Sequence, residues 1–190
     1  MQNYSDSLPW RPKLDTYHPS LVAAADSCAQ FVADYTANRA PYWLTLSGPT
    51  GCGKSMLLEQ VHRQIARVFA DREPTRGGSA PRSFDAYGFT SRMRGGEYEL
   101  PKELAGASML SFDDLGASRD TTGFVADSLC WLAEMRLGHW TAWTTNLDSA
   151  ALVQRIDERF VSRLIRAGSR VVTITAGDYW AHRSQGGKAA

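Results

Sequence analysis

The sequence has 190 residues, with 21 basic and 20 acidic side chains, a formal net charge of +1 and 43% hydrophobic residues. This composition is typical of a soluble globular domain and excludes both a disordered chain and a polybasic DNA coat. Because there is no apolar run of about 18 residues, no secretory leader and no cysteine pair with metal-site spacing, we expect one reduced, cytoplasmic domain without membrane partners.

Apolar periodicity and turn residues predict that helices and strands alternate along the chain. An extended arm is predicted over residues 1–17, and strands are predicted over 42–46, 84–89, 109–112, 139–145 and 170–175. Helices are predicted over 18–38, 54–70, 101–107, 120–137 and 149–167, with loops over 72–81 and 92–99. This alternation predicts an α/β fold whose five-stranded parallel sheet is covered by helices on both faces.

The residues between the first strand and the helix over 54–70 fit a phosphate-binding loop. The stretch Gly48-Pro49-Thr50-Gly51-Cys52-Gly53-Lys54-Ser55 matches G-x-x-x-x-G-K-[ST] at every fixed position. Glycines let the backbone wrap around an anion, and the helix N-terminus adds partial positive charge. Lys54 is expected to reach the β- and γ-phosphates, and the Ser55 hydroxyl to bind Mg²⁺. The pattern therefore predicts a nucleotide site rather than a chance glycine-rich turn.

Two acids follow the strand over 109–112. An acid at the tip of a strand beside the phosphate loop can hold Mg²⁺, directly or through water, and Asp113 has this position. Asp114 can then orient and deprotonate the attacking water. Two consecutive acids favour hydrolysis over phosphoryl transfer between small molecules.

Polar residues also end the next strand, at Thr144-Thr145-Asn146. Because this strand is expected beside the acidic one, its tip would face the γ-phosphate or the attacking water. The Asn146 amide can both donate and accept hydrogen bonds there. A helix cap or a turn is the alternative interpretation of an asparagine at this position.

Four segments, GPTGCGKS, MLSFDDLG, WTTN and ERFVSRL, together resemble the AAA+ ATPases, and among them the DnaC/IstB-like helicase loaders and transposition helper ATPases. The resemblance covers about residues 42–179. It implies a three-layer αβα P-loop NTPase fold with strand order 5-1-4-3-2, ATP-driven assembly, and subunits that complete one another's sites. Asn146 then corresponds to sensor 1. Arg163 corresponds to an arginine finger that acts in trans within a homo-oligomer, with Arg159 as the second candidate.

The sequence departs from that group near its C-terminal end. The group commonly carries a Ser-Tyr-Arg-like motif whose arginine senses the nucleotide, whereas here Gly177-Asp178-Tyr179 is followed by Trp180. Few residues follow the last strand, and only some forty precede the phosphate loop, so neither a full helical lid nor a separate helicase-binding domain is expected. The expected organisation is the arm over 1–17, an AAA+ core over 18–183 and a flexible tail over 184–190.

Basic segments flank the acidic one. Residues 72–94 hold five arginines against two acids, residues 97–120 six acids against two basic residues, and residues 155–170 five arginines against two acids. Arginines 155, 159, 163 and 166 are expected on one face of the helix over 149–167. The 92–96 loop, with Tyr98 nearby, is a candidate contact for single-stranded DNA, although an ordinary exposed loop has the same composition.

The aromatic residues and the phosphate-loop thiol give further expectations. Tyr17 or Trp10, both in the arm, are candidates to cover the adenine base. The tryptophans in predicted elements are expected in the core, and they are Trp43, Trp131, Trp140 and Trp143. Cys52 lies at a helix N-terminus, where a thiol can be reactive, although a small filler residue is the simpler interpretation.

These observations together predict an ATPase that uses ATP and Mg²⁺ and acts as a homo-oligomer on a replicative helicase or a transposase. Two other classes stay open. A small-molecule P-loop kinase would share the phosphate loop but would need a second substrate pocket. A nucleotide-binding adaptor, or an inhibitor that caps a larger AAA+ ring, would bind ATP or ADP with little turnover.

Overall fold

The computed structural model describes residues 10–15, 17–71, 79–117, 123–166 and 168–184. Most of the predicted loop over 72–81 and the predicted beginning of the helix over 120–137 lie outside the described residues. The same is true of much of the predicted arm and nearly all of the predicted tail. Within the described part, no helix combines the length and the apolar character that crossing a membrane requires.

Five strands form one parallel sheet. They are β1 (Trp43–Ser47), β2 (Arg82–Asp85), β3 (Met109–Asp113), β4 (Trp140–Thr145) and β5 (Arg170–Thr173). Their order is β2-β3-β4-β1-β5, and each neighbouring pair is parallel. This is the predicted order 5-1-4-3-2 seen from the opposite edge, so the predicted sheet is confirmed. Because β1, β3 and β4 are adjacent and parallel, the residues that follow them meet at one edge.

Helices cover both faces of the sheet. They are α1 (Pro19–Ala37), α2 (Lys54–Asp71), α3 (Ala86–Arg94), α4 (Leu100–Ala105), α5 (Phe124–Met135), α6 (Ser149–Arg155), α7 (Glu158–Arg166) and α8 (Tyr179–Ser184). One buried cluster packs α1 and α2 against strand residues such as Leu44 and Ala142. A second cluster packs the five helices from α3 through α7 against strand residues such as Trp43 and Trp143. The alternation of β1 side chains between the two clusters follows from the two-residue period of a strand, and the αβα layering is confirmed.

The predicted strand over 84–89 is wrong beyond Asp85. The Asp85 carboxylate accepts a hydrogen bond from the backbone N–H of Gly88 at 2.8 Å, and this N-cap begins α3 at Ala86. The predicted loop over 92–99 likewise begins within α3, which ends at Arg94. Apolar periodicity predicted a strand here, but the cap determines the local structure.

The predicted helix over 149–167 is two helices. The Asp157 carboxylate accepts a hydrogen bond from the backbone N–H of Arg159 at 2.6 Å, which favours a new helix start after the end of α6. Arg155 therefore does not share a helical face with Arg159 and Arg163, and the predicted four-arginine face is wrong. Only the two arginines on α7 can be compared, since the side chain of Arg166 lies outside the described ones.

Two further features differ from the sequence expectations. Trp131 on α5 is 44% exposed, whereas the other three tryptophans expected in the core are buried. Helix α8 was not predicted. It begins where the Asp178 carboxylate accepts hydrogen bonds from the N–H groups of Trp180 and Ala181, at 2.8 and 3.1 Å.

Arg136 is completely buried although it carries a guanidinium. Its nitrogens donate to Thr141 Oγ1 at 3.1 Å and to three backbone carbonyl oxygens, those of Ala105, Ala107 and Trp140. Burial lowers the pKa of Arg136 to about 10. The side chain thus links the segment before β3 to β4, a role for which the sequence pattern gave no signal.

Candidate nucleotide-binding site

The phosphate-binding loop connects β1 to α2 at the carboxyl edge of the sheet. Gly51 has a φ of +79°, and a Cβ atom on it would lie 2.1 Å from Asp178 Oδ2. Both the backbone conformation and the packing therefore require glycine at this position. The N–H of Tyr179 also donates to Gly51 O at 3.0 Å, so the beginning of α8 rests directly on the loop.

Lys54 is buried and points back into the phosphate loop. Its Nζ donates to Gly48 O at 2.9 Å and to Pro49 O at 2.7 Å. A bound phosphate would compete with these carbonyls for the ammonium group. Cys52 Sγ lies 3.7 Å from the same Nζ, and Cys52 is only 2% exposed. Alkylation of this thiol would therefore require the loop to open.

Ser55 and Asp113 meet in the way that a shared magnesium ion requires. Ser55 Oγ donates to Asp113 Oδ1 at 3.1 Å. In octahedral magnesium sites, bonds of about 2.1 Å place neighbouring ligand oxygens about 3 Å apart. Hydroxyl and carboxylate oxygens are also the hard ligands that this ion prefers. The pair therefore fits Mg²⁺ in both spacing and chemistry.

Asp114 and Asn146 lie side by side, as expected for a water-activating pair. Asn146 Nδ2 donates to Asp114 Oδ1 at 3.4 Å. Burial raises the pKa of Asp114 above its ordinary value, and the neighbouring Asp113 raises it further, against the opposing effects of Lys54 and Asn146. A carboxylate with a raised pKa is a stronger proton acceptor than a free one, provided that it is ionised.

One cavity of about 720 Å³ is lined by most of these groups, although Asp113, Gly48 and Pro49 are not among its lining residues. Its volume is in the range of small-molecule and cofactor sites. The lining includes most of the predicted site, namely Thr50, Gly51, Cys52, Gly53, Lys54, Ser55, Asp114, Asn146 and Tyr17. It also includes residues without a predicted role, in particular Lys13, Leu14, Asp15, Met56, Tyr179 and Trp180.

Tyr17 lines this cavity and Trp10 does not. The Tyr17 hydroxyl donates to Gly177 O at 3.0 Å, and its ring stacks on His182 with centroids 4.0 Å apart and an angle of 10°. Burial raises the pKa of Tyr17, and the nearby charges of Cys52 and Asp178 add to this. Trp10 instead lies in a separate groove between α1 and α2. Of the two arm aromatics, only Tyr17 is placed to cover a base.

The segment before Tyr17 is held on α2 by one glutamine. The N–H of Lys13 donates to Gln60 Oε1 at 2.8 Å, and Gln60 Nε2 donates to Lys13 O at 2.9 Å. This pair fixes Leu14 near Gly53 on the phosphate loop. Sequence reasoning missed Gln60, because a glutamine on an amphipathic helix has no distinguishing pattern.

The two candidate arginine fingers lie outside the cavity, on the side of α7 that faces α5. Arg163 forms an ion pair with Glu134 through Nε, and its Nη1 donates to Arg159 O at 2.9 Å. Arg159 pairs with Asp157 at 2.9 Å and with Asp127 at 3.0 Å. Within one chain, therefore, neither arginine lines the nucleotide cavity.

The candidate DNA-contacting segment contains an internal ion pair. Arg92 donates from Nε to Glu97 Oε2 at 2.7 Å, and its guanidinium lies 5.3 Å from the centroid of the Phe84 ring. Tyr98 is 67% exposed and packs edge-on against Phe124. The aromatic ring is thus accessible, while the charge of Arg92 is compensated within the chain.

Comparison with known proteins gives no match in sequence and clear matches in structure. No protein-family model matches the chain, and no curated protein matches its sequence significantly. The crystal structure of the DnaC helicase loader has a TM-score of 0.64 at 23% identity, over 86% of this chain and 97% of that one. DnaI has a TM-score of 0.66 at 18% identity, over 87% of each chain.

A third solved structure is the replication initiator DnaA bound to AMPPCP and single-stranded DNA. It has a TM-score of 0.62 at 16% identity, over 80% of this chain and 46% of that one. These likenesses agree with the resemblance that the four sequence motifs had indicated. The sheet order, the phosphate loop between β1 and α2, and the two acids at the end of β3 therefore lead to one conclusion: this chain has the AAA+ P-loop fold found in the DnaC helicase loader, DnaI and DnaA.

Proposed function

We propose that this protein binds and hydrolyses ATP with Mg²⁺ and acts as a homo-oligomer in the manner of a helicase loader. The observation that carries the proposal is the meeting of the phosphate loop, Ser55, Asp113, Asp114 and Asn146 at one edge of the sheet. Each of these groups matches a requirement of phosphoryl transfer to water.

Within one subunit, the geometry supports the following roles. The loop amides would hold the phosphates, and Lys54 would exchange its carbonyl partners for the β- and γ-phosphate oxygens. Ser55 and Asp113 would hold Mg²⁺, which neutralises the charge that develops on the transferred phosphoryl group. Asp114 would accept a proton from the attacking water, and Asn146 would orient that water. Tyr17 would cover the base.

The remaining group would come from a neighbouring subunit. Phosphoryl transfer is accelerated by an arginine that stabilises the transition-state charge, and no arginine is among the described residues that line the cavity. Arg163 is the first candidate and Arg159 the second. Since Arg163 is paired with Glu134 in the single chain, it would have to leave this acid in the assembly.

The proposed target is a replicative helicase or a transposase, with single-stranded DNA as a further ligand. The fold shared with the DnaC helicase loader supports the helicase, and the fold shared with a DnaA structure that contains single-stranded DNA supports the DNA. The exposed Tyr98 ring, between α3 and α4, is the candidate stacking surface. DNA binding that did not weaken with rising salt would contradict this contact.

The decisive experiment measures the ATPase rate per subunit against protein concentration, with and without single-stranded DNA. A finger acting in trans predicts that the rate per subunit rises steeply with concentration. Lys54→Ala is the control for contaminating activity. A rate per subunit that is independent of concentration would contradict assembly-dependent hydrolysis.

A nucleotide-binding adaptor with little turnover is the second candidate. The intramolecular pairing of both candidate fingers favours it, since a chain that never releases them would bind nucleotide without rapid hydrolysis. Single-turnover measurements on an isolated assembly distinguish the two functions. The ATPase predicts one rapid turnover per site, whereas the adaptor predicts retained ATP.

A further inference from the structure

One buried hydroxyl connects the two acids of the candidate site. Thr144, at the end of β4, is completely buried. Its Oγ1 donates to Asp113 Oδ1 and accepts a hydrogen bond from the backbone N–H of Asp114 at 2.9 Å. A single side chain on β4 thus holds both the carboxylate of one acid and the peptide of the next.

This arrangement fixes the orientation of the Asp113 carboxylate more firmly than its position on β3 alone would. Its Oδ1 accepts from both Thr144 Oγ1 and Ser55 Oγ, while no described residue donates to its Oδ2. Two hydroxyl donors on one oxygen fix the rotation of the carboxylate. Loss of a group that orients a metal ligand typically lowers metal affinity or activity by ~10–100-fold.

The same hydroxyl also stabilises an unusual backbone conformation. Asp114 has a φ of +54°, in the left-handed region that residues other than glycine rarely adopt. Without Thr144 Oγ1, the Asp114 N–H would lose its acceptor, and the turn that directs the two consecutive acids would be held less firmly.

We propose that Thr144 is a positioning residue that sets Asp113 for Mg²⁺, so that the metal dependence of nucleotide binding requires its hydroxyl. This inference rests on the proposed nucleotide function. Neither Thr144 nor Asp113 is among the residues that line the cavity, but Asp113 bonds to Ser55, which is. The effect of Thr144 on Mg²⁺ binding therefore passes through Asp113. Its removal should weaken Mg²⁺ binding while nucleotide binding without metal is retained.

The neighbouring Thr145 is a matched control. It lies on the same strand and is 1% exposed. Its Oγ1 also bonds across to the residues that follow β3, but it donates to the backbone oxygen of Leu115 at 2.9 Å and accepts from the N–H of Leu147 at 3.1 Å. Thr145 thus has the same burial and the same hydrogen-bonding capacity without a bond to a carboxylate.

The test is the affinity of a fluorescent ADP analogue, measured in EDTA and across a Mg²⁺ titration, for the wild type and for Thr144→Val, Thr144→Ser and Thr145→Val. Thr144→Val should need ~10–100-fold more Mg²⁺ than the wild type to reach half of the maximal increase in affinity for the ADP analogue. Its affinity in EDTA should stay within about twofold of the wild type, because no phosphate contact is removed. Thr144→Ser should restore the wild-type response, and Thr145→Val should keep it.

A double-mutant comparison shows whether the effect passes through Asp113. In an Asp113→Asn background, adding Thr144→Val should not change the Mg²⁺ requirement further. If Thr144→Val is too unstable to assay, Thr144→Ala serves as a second variant without a hydroxyl.

The possible failures are distinguishable. A wild-type chain that binds no nucleotide under either condition overturns the proposed function and, with it, this inference. A wild type with Mg²⁺-dependent binding and a Thr144→Val variant with the same Mg²⁺ requirement overturn the inference alone. An equal increase in the Mg²⁺ requirement of Thr144→Val and Thr145→Val also overturns it, because the cause would then be general damage to β4.

Discussion

The carboxyl edge of the sheet and the arginine-bearing face of α7 organise their charged groups in opposite ways. At the sheet edge, α2 and the segments that follow β1, β3 and β4 line one cavity, and hydrogen bonds join these different elements. On α7, Arg159 and Arg163 are paired with acids of the same chain. The first region is preorganised by hydrogen bonds between elements, whereas the second holds its cations in ion pairs within the chain.

This difference suggests how activity would depend on assembly. Ion pairs near the surface contribute little, about 0–1 kcal/mol, because water and salt screen them. A phosphate held by a neighbouring subunit would therefore have only a small cost to overcome in attracting Arg163 away from Glu134. The pairing on α7 is thus compatible with a finger that acts in trans.

The largest expected effect is that of Arg163→Ala. If this residue is the finger, the hydrolysis rate of the assembled protein should fall by ~10³–10⁵-fold, because the transition-state charge loses its cation. Nucleotide binding should be unchanged, since Arg163 does not line the cavity. Steady-state ATPase assays and equilibrium binding of the nucleotide measure the two quantities.

Arg159→Ala is the matched variant on the same helix. If Arg159→Ala loses hydrolysis while Arg163→Ala hydrolyses ATP at the wild-type rate, Arg159 is the finger. Wild-type rates in both variants would remove α7 from the catalytic site.

Asp114→Asn should have the next largest effect, because it removes the proposed proton acceptor at the preorganised sheet edge. Loss of the proton acceptor should lower the hydrolysis rate by ~10²–10⁴-fold, while the side chain keeps nearly its shape. ATP should still bind, so that the variant retains ATP where the wild type releases ADP. Separation of the bound nucleotides after a single turnover is the measurement, and rapid formation of ADP would contradict the assigned role.

The two regions also show how far the sequence can predict this site. The phosphate loop and the two acids are local patterns, and both lie where their spacing placed them. The hydrogen bond from Thr144 to Asp113, by contrast, joins two residues that lie 31 positions apart in the sequence. The hydrogen bonds between Gln60 and Lys13 join residues 47 positions apart. No local pattern encodes such contacts, because they exist only after the sheet and helices have packed.

The errors in the predicted elements have a related cause. Apolar periodicity predicted a strand over 84–89 and a single helix over 149–167. In both places a single aspartate, Asp85 or Asp157, accepts a backbone hydrogen bond that begins a helix at a different residue. Such caps contribute only about 1 kcal/mol each, but this is enough to decide a boundary between nearly equal alternatives.

Arg136 can be compared with Arg159 and Arg163 as a third arginine, whose hydrogen bonds stabilise the fold. Arg136→Met should lower the free energy of unfolding by about 2 kcal/mol or more, because buried carbonyl oxygens lose their donors. Arg163→Ala, which removes a partly exposed surface pair, should lower it by less than about 1 kcal/mol. Urea unfolding followed by circular dichroism compares the two, and equal destabilisation would contradict the distinction between a structural and a functional arginine.

A smaller effect is expected in the pH dependence of hydrolysis. Because the pKa of Asp114 is raised, the rate should increase with pH through a midpoint above that of a free aspartate, at about 3.9, and then level off. The Asn146 hydrogen bond favours the ionised form, so Asn146→Ala should raise the pKa of Asp114 and move the midpoint to higher pH. A midpoint that moves to lower pH in Asn146→Ala would contradict the role of this bond.

The smallest expected effect tests the comparison most directly, because it acts on the pairing and not on the catalytic groups. Glu134→Gln removes the charge that holds Arg163 and should therefore favour the released arginine by roughly fivefold at most, the equivalent of about 1 kcal/mol. If the pairing restrains the finger, the ATPase rate should then rise at lower protein concentration than in the wild type. Glu158→Gln, in the same shallow pocket, removes an equal charge from a residue without an ion pair in the described part of the chain. If this concentration shifts in Glu134→Gln alone, the intramolecular ion pair restrains the arginine finger. Equal shifts in both variants would show that the effect comes only from the net charge of that face.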